Sequence, residues 1–75
     1  MKTLKDLKGL KFAEGIEGIA FGEDYFYASQ GYGNITSYYT VDEAINELEG
    51  CDIEITDLKL NNNNEIAYLY GYFEE

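Results

Sequence analysis

TVDEAINELEG at residues 40–50, followed at 52–73 by DIEITDLKLNNNNEIAYLYGYF, carries most of the folding information in this chain. Thr40 precedes the apolar stripe Val41, Ala44, Ile45 and Leu48, and Glu43 stands three residues after it. That is a capping box, in which threonine and glutamate each satisfy a backbone N–H that the first helical turn leaves without a partner. Gly50 stops the pattern, so the spacing predicts a helix over about 41–49. The period then drops from 3.6 to 2. Ile53 and Ile55 alternate with Asp52 and Glu54, and the phase slips at Asp57 and Leu58, which predicts a bulge within a strand over 52–60. Asn61 to Asn64 read as a hairpin turn, because asparagine accepts the left-handed conformation and bonds its own backbone. The returning strand, 65–73, puts Ala67, Leu69 and Phe73 on one face and Tyr68, Tyr70 and Tyr72 on the other.

Upstream, 24–29 alternates in the same way, with Tyr25 and Tyr27 opposite Phe26 and Ala28. The runs 10–13 and 16–21, punctuated by Gly15, Gly18 and Gly22, read as two short strands with a turn between them. Gln30 to Asn34 is loop chemistry, and 35–39 reads as extended. Its Gly-x-Gly is followed by no phosphate-binding lysine motif, which removes a nucleotide loop. Thr3 caps a helical turn in which Leu4 and Leu7 share a face, Asp6 completes a capping box and Gly9 ends it. The expectation is a single α+β domain spanning 1–75. It has two layers: an antiparallel sheet of four to five strands, and one main helix packed on a face, with a short N-terminal helical turn.

At 75 residues the chain is sized for one core, and 45% apolar residues are too many for a disordered acidic tail despite a net charge of −10. The charge is segregated. Lys2, Lys5, Lys8 and Lys11 against Asp6 give residues 1–11 a charge of +3, whereas Lys59 against fourteen carboxylates gives 12–75 a charge of −13. Such a body repels nucleic acid and anionic membrane and attracts lysine- and arginine-rich surfaces. The basic segment either folds back on that body or makes a separate contact. Cys51, the single cysteine, excludes an internal disulfide and reads as a small buried hydrophobe in a reducing cytosol. The start lacks the continuous apolar stretch of a signal peptide, and no run reaches membrane-spanning length, so the expected location is cytoplasmic.

Histidine, arginine, tryptophan and proline are absent. Ser–His and Cys–His nucleophile pairs and His-containing zinc sites therefore cannot be built within one chain. Carboxylate pairs such as Glu14 with Glu17, or Glu23 with Asp24, remain, but so small a scaffold does not wall a substrate cleft around them. The oxygen-rich calcium-loop pattern is missing. The expectation is a protein that is not an enzyme and carries no cofactor or metal.

Two surface features remain. Asp42, Glu43, Asn46, Glu47 and Glu49 share the outer face of the predicted helix, where Glu43 faces Glu47 and no lysine intervenes. The same bias continues at Asp52, Glu54 and Asp57. Charge runs are usually solvated faces, but a surface selected for stability alone mixes signs. The second feature is tyrosine: of eight, Tyr25, Tyr27, Tyr68, Tyr70 and Tyr72 are expected on the sheet face away from the helix. Tyrosine favours strands for their own sake and is also enriched at protein interfaces.

The leading expectation is a non-enzymatic inhibitor whose carboxylates stand in for nucleic-acid phosphates and block a basic cleft of a partner. Alternate strand residues lie about 6.6–6.8 Å apart, a usable spacing for such a decoy. The residues expected to carry contact are Glu23, Asp24, Tyr25, Tyr27, Asp42, Glu43, Glu47, Glu49, Glu54, Tyr68, Tyr70 and Tyr72. In size, charge, missing catalytic residues and acidic helix the chain resembles small acidic phage-encoded anti-defence proteins, including anti-CRISPR proteins and DNA mimics. That resemblance implies a CRISPR effector or another host defence nuclease as partner, in the host cytoplasm; the acidic charge itself gives the expectation of no direct contact to nucleic acid or membrane. The competing expectation is an assembly module that pairs through an exposed tyrosine sheet, as part of a complex or as a homodimer, its charge serving solubility alone.

Overall fold

A computed structural model describes residues 3–31 and 38–74. The helix α1 spans Val41–Glu47, two residues shorter than the periodicity suggests, because the chain turns at Leu48 and Gly50 adopts φ +84°. Its start is the reciprocal box: Glu43 N–H donates to Thr40 Oγ1 at 3.1 Å, and Thr40 N–H donates to Glu43 Oε1 at 3.0 Å. Val41, Ala44 and Leu48 turn one face of it into the core. At the N-terminus a 3-10 helix, Leu4–Leu7, buries both leucines beside α1, and Thr3 N–H donates to Asp6 Oδ2 at 2.8 Å.

The strands are β1 (Ala20–Phe21), β2 (Tyr25–Ala28), β3 (Asp52–Leu60) and β4 (Ile66–Glu74). They form one antiparallel sheet in the order β1-β2-β4-β3. Since β2 and β3 both run against β4, they are parallel to each other, and a tight hairpin cannot join parallel strands. The α1 segment makes that crossover, which is how the helix comes to cover one face of the sheet and leave the other. Phe26, Ala28, Ile66 and Leu69 pack with the inner face of α1 in one core, together with Ile16 and Ile19 from the segment that precedes β1.

The β3–β4 hairpin turns on its asparagines. Asn64 sits at φ 58°, and Asn61 Oδ1 accepts from both Asn63 and Glu65 N–H at 2.9 Å. The register shifts twice. Between Ile55 and Asp57 the extra residue is Thr56, whose hydroxyl donates to the Tyr70 carbonyl at 3.3 Å. This is the phase slip that the sequence shows, and it keeps Ile55 and Leu58 inward while Glu54 and Asp57 both point outward. A second shift skips Ala67, between the pairs Lys59↔Tyr68 and Leu60↔Ile66. Ala67 is therefore not the inward residue that strict alternation requires. Ile66 is fully buried in its place.

The segments 10–13 and 16–21 depart furthest from the expected strands. Only Ala20–Phe21 is a strand, and Phe12 and Ile19 make isolated bridges to Ile66 and Tyr39. Gly15 and Gly18 both take positive φ, which breaks an extended run, and a Cβ on Gly18 would stand 2.8 Å from the Tyr39 carbonyl oxygen. The expected loop at 32–34 and most of the extended stretch 35–39 lie outside the described residues.

At the sheet centre Gly71 pairs with Phe26, whose ring lies over it and fills the space a side chain would take. Phe73 stacks beside that ring at 6.4 Å, and Phe21 and Tyr39 stack at 4.7 Å toward the β1 end.

Candidate functional site

Strand alternation dictates what the uncovered face carries. If Phe26, Ala28, Leu69 and Gly71 point at the helix, then Tyr25 and Tyr27 of β2 and Tyr68, Tyr70 and Tyr72 of β4 point the other way. Register sets them side by side, with Tyr25 opposite Tyr72 and Tyr27 opposite Tyr70. The rings stack: Tyr25 lies 6.0 Å from Tyr27 and 5.9 Å from Tyr70 with planes 25° and 18° apart, and Tyr72 meets Tyr70 edge-on at 5.3 Å. Mutual cover leaves four of the five half-buried, with Tyr72 the most open at 46% exposure. Gly22, in the β1–β2 turn, supplies the gap into which the Tyr25 ring leans, since a Cβ there would run into the ring at Tyr25 Cζ.

A side-chain hydrogen bond with Tyr72 raises the Tyr70 pKa above its ordinary 10.0, with reduced hydration and the nearby Tyr25 and Tyr68 adding to it. Tyr38 is also raised, first by reduced hydration and then by Glu17 and Tyr27. Both phenols therefore stay neutral donors across the physiological range.

Beyond the tyrosines, β3 lays down a row of carboxylates on this face. Glu54 stands opposite Tyr72, Asp57 opposite Tyr70, Lys59 opposite Tyr68, and Asp52 opposite Glu74. All four β3 side chains are exposed. Asp52 facing Glu74 is a like-charge cross-strand pair, an arrangement that costs stability. Among the described residues no three acids or thiols converge to hold a metal ion. The face is an aromatic platform edged by the exposed carboxylates of Asp52, Glu54 and Asp57.

Of the twelve residues singled out from sequence, Tyr25, Tyr27, Glu54, Tyr68, Tyr70 and Tyr72 meet on this face. Glu23 and Asp24 lie in the β1–β2 turn at the start of β2, both exposed. Asp42, Glu43, Glu47 and Glu49 are exposed on α1 and the turn after it, on the far side of the sheet. The acids thus divide into two patches separated by the core. Asp57 joins the row only through the bulge, since strict alternation would point it inward. The phase slip between Ile55 and Leu58 was the signal for it. Cys51 is half-buried, against the core and beside the groove at the start of β3. Among the described residues no helix is long and apolar enough to cross a membrane. No protein-family model, curated protein or solved structure matches the chain.

Proposed function

We propose that the protein is a non-catalytic inhibitory binding protein whose tyrosine face and β3 carboxylate row dock onto a basic, nucleic-acid-binding surface of a partner protein. The observation that carries this is the cross-strand register of Glu54 with Tyr72 and Asp57 with Tyr70. Each pair offers a carboxylate beside an aromatic ring, and a guanidinium or ammonium group can lie on the ring while bonding the carboxylate. A cation over an exposed ring gains about 0.5–1 kcal/mol. An exposed ion pair gains up to about 1 kcal/mol. Affinity therefore comes from repeating the motif along a face rather than from any one contact.

Mimicry of a polyanion is consistent with the same row. Asp52 and Glu54 are two strand residues apart, about 6.7 Å, close to the rise of two nucleotide steps, about 3.4 Å each, along the axis of a DNA duplex. The net charge of −10 would steer association toward a cationic cleft and make it sensitive to salt. The resemblance to small acidic phage-encoded anti-defence proteins points to a CRISPR effector or other host nuclease as the partner class. In this reading the α1 acids, on the opposite side of the sheet, contribute to the long-range field and not to the contact.

The test is competitive elution. Basic proteins from a host lysate are retained on a duplex-DNA column and challenged with the protein at low and moderate salt. The proposal expects specific elution of a nucleic-acid-binding protein by the native chain and by Glu47→Lys/Glu49→Lys, and its loss with Glu54→Lys/Asp57→Lys. Equal elution by both double variants, or a homodimer that Tyr70→Ala dissolves, would overturn it.

A further inference from the structure

We propose that the outer edge of β3 between Asp52 and Ile55 is a strand-addition site for an extended peptide segment of alternating cationic and apolar residues. The inference rests on the reading that the partner is cationic, and it adds how one segment of that partner is held. In the strand order β1-β2-β4-β3, β3 has β4 on one side and, among the described residues, no strand on the other. An edge of nine residues is long, whereas the opposite edge, β1, has two. Proteins usually blunt such an edge with proline, a twisting bulge or charged side chains, lysine above all; the β3 charges are the carboxylates of Asp52, Glu54 and Asp57, which guard it against another acidic strand and not against a cationic one. The chain has no proline, and the one β3 lysine, Lys59, lies toward the far end. The bulge at Thr56 is tied back to β4, so the regular part of the edge is Asp52–Ile55.

Both faces of that stretch lack a neighbour that an added strand would supply. On the helix side Ile53 and Ile55 are only half-buried, unlike the fully buried Phe26, Ile66 and Leu69 of the inner strands. Beside Ile53 an open groove of about 500 Å³ runs between the 3-10 helix, the end of α1 and the start of β3. Leu4, Ile45, Leu48 and Cys51 contribute its apolar lining. On the other side stand the exposed carboxylates of Asp52 and Glu54. A strand added about 4.8 Å from β3 alternates as β3 does. Its inward side chains extend the Ile53–Ile55 row, with one entering the groove. Its outward side chains lie about 5 Å from the carboxylates, the distance of direct cross-strand neighbours. Charge complementarity therefore selects lysine or arginine outside and an aliphatic residue inside.

The same complementarity excludes a second copy of this chain as the occupant. An antiparallel β3–β3 pair would line up Asp52, Glu54 and Asp57 of each copy on one face against a single lysine from each. Like charges directly opposite are destabilising, and two bodies of charge −10 repel at longer range.

The test uses the full chain and an acetylated, amidated heptapeptide alternating lysine and valine. Its controls are a glutamate–valine heptapeptide and a lysine–valine peptide N-methylated at alternate residues on its β3-facing edge. Amide shift changes and slowed hydrogen exchange are expected at Asp52–Ile55, with shifts at Ile45 and Cys51. Binding should be undetectable for the glutamate peptide, and about tenfold or more weaker for the N-methylated peptide, which loses at least two backbone hydrogen bonds. The N-methylated peptide leaves the protein unaltered, so misfolding cannot imitate the result. Equal binding of the N-methylated peptide, shifts confined to Tyr25, Tyr27 and Tyr70 without protection of β3, or concentration-dependent β3-mediated dimers would overturn the proposal. Tyr25→Ala/Tyr70→Ala separates the two readings. It should abolish elution from the DNA column and leave heptapeptide binding within about twofold, because the edge contact uses neither ring.

Discussion

Gly71→Ala tests the join that holds the tyrosine face to the core. A Cβ at this position would stand 2.6 Å from Phe26 Cζ, 3.0 Å from Phe26 Cε2 and 2.6 Å from the Glu54 carbonyl oxygen. Ordinary carbon contacts begin near about 3.5 Å, so the ring and the neighbouring strand must each retreat by roughly 0.9 Å. Neither does so freely. The Phe26 ring is fully buried and packed on Phe73, and Glu54 belongs to the ladder between β3 and β4. Overpacking of this kind costs about 1–3 kcal/mol. Against it, replacing glycine restricts the unfolded chain and returns about 0.4–1 kcal/mol. The net expectation is a loss of about 1–2 kcal/mol, which for a domain of this size lowers Tm by roughly 5–15 °C. Thermal unfolding followed by near-ultraviolet circular dichroism reads it directly, since the aromatic signal reports the same packing. A double-mutant cycle with Phe26→Leu assigns the cause: the smaller side chain should recover at least about 0.5 kcal/mol of the Gly71→Ala loss. An unchanged or raised Tm for the single variant would refute the reasoning.

Three further outcomes follow from the same face. Gly22→Ala should lower Tm by roughly 2–12 °C, because the added Cβ displaces the Tyr25 ring from its stack on Tyr70, an aromatic pair worth about 0.5–1.5 kcal/mol, and should weaken elution from the DNA column severalfold. Asp52→Lys turns a like-charge pair with Glu74 into an opposite-charge one and should stabilise the fold by about 0.2–1 kcal/mol in urea titration while weakening partner binding. Because Tyr70 titrates above 10.0 in the native state, its contribution is complete below pH 10 and is lost as pH rises from 10 through the raised native value, where only the unfolded chain has shed its proton. Tyr72→Phe removes the first cause of that shift, so a phenolate absorbance titration should show one tyrosine ionising earlier than in the native chain.

Local chemistry made most of the secondary structure legible in the sequence. Thr40 and Glu43 began the helix, four asparagines closed the hairpin, and the slip from Ile55 to Leu58 announced the bulge, because each depends on neighbours within a few residues. The alternation of Tyr25, Tyr27, Tyr68, Tyr70 and Tyr72 with core residues placed the rings on one face for the same reason. Which patches would share a surface depended instead on the crossover from β2 to β3, which no local pattern encodes. It set the α1 carboxylates on one side of the core and the β3 carboxylates on the other, beside the rings. Long-range contacts also decided the stretch 10–21, where Phe12 pairs with Ile66 and Ile19 with Tyr39 across distances in sequence that periodicity cannot see. The second register shift, which buries Ile66 in place of Ala67, is of that kind too: once β4 must satisfy β2 and β3 together, its alternation yields to the partners on either side.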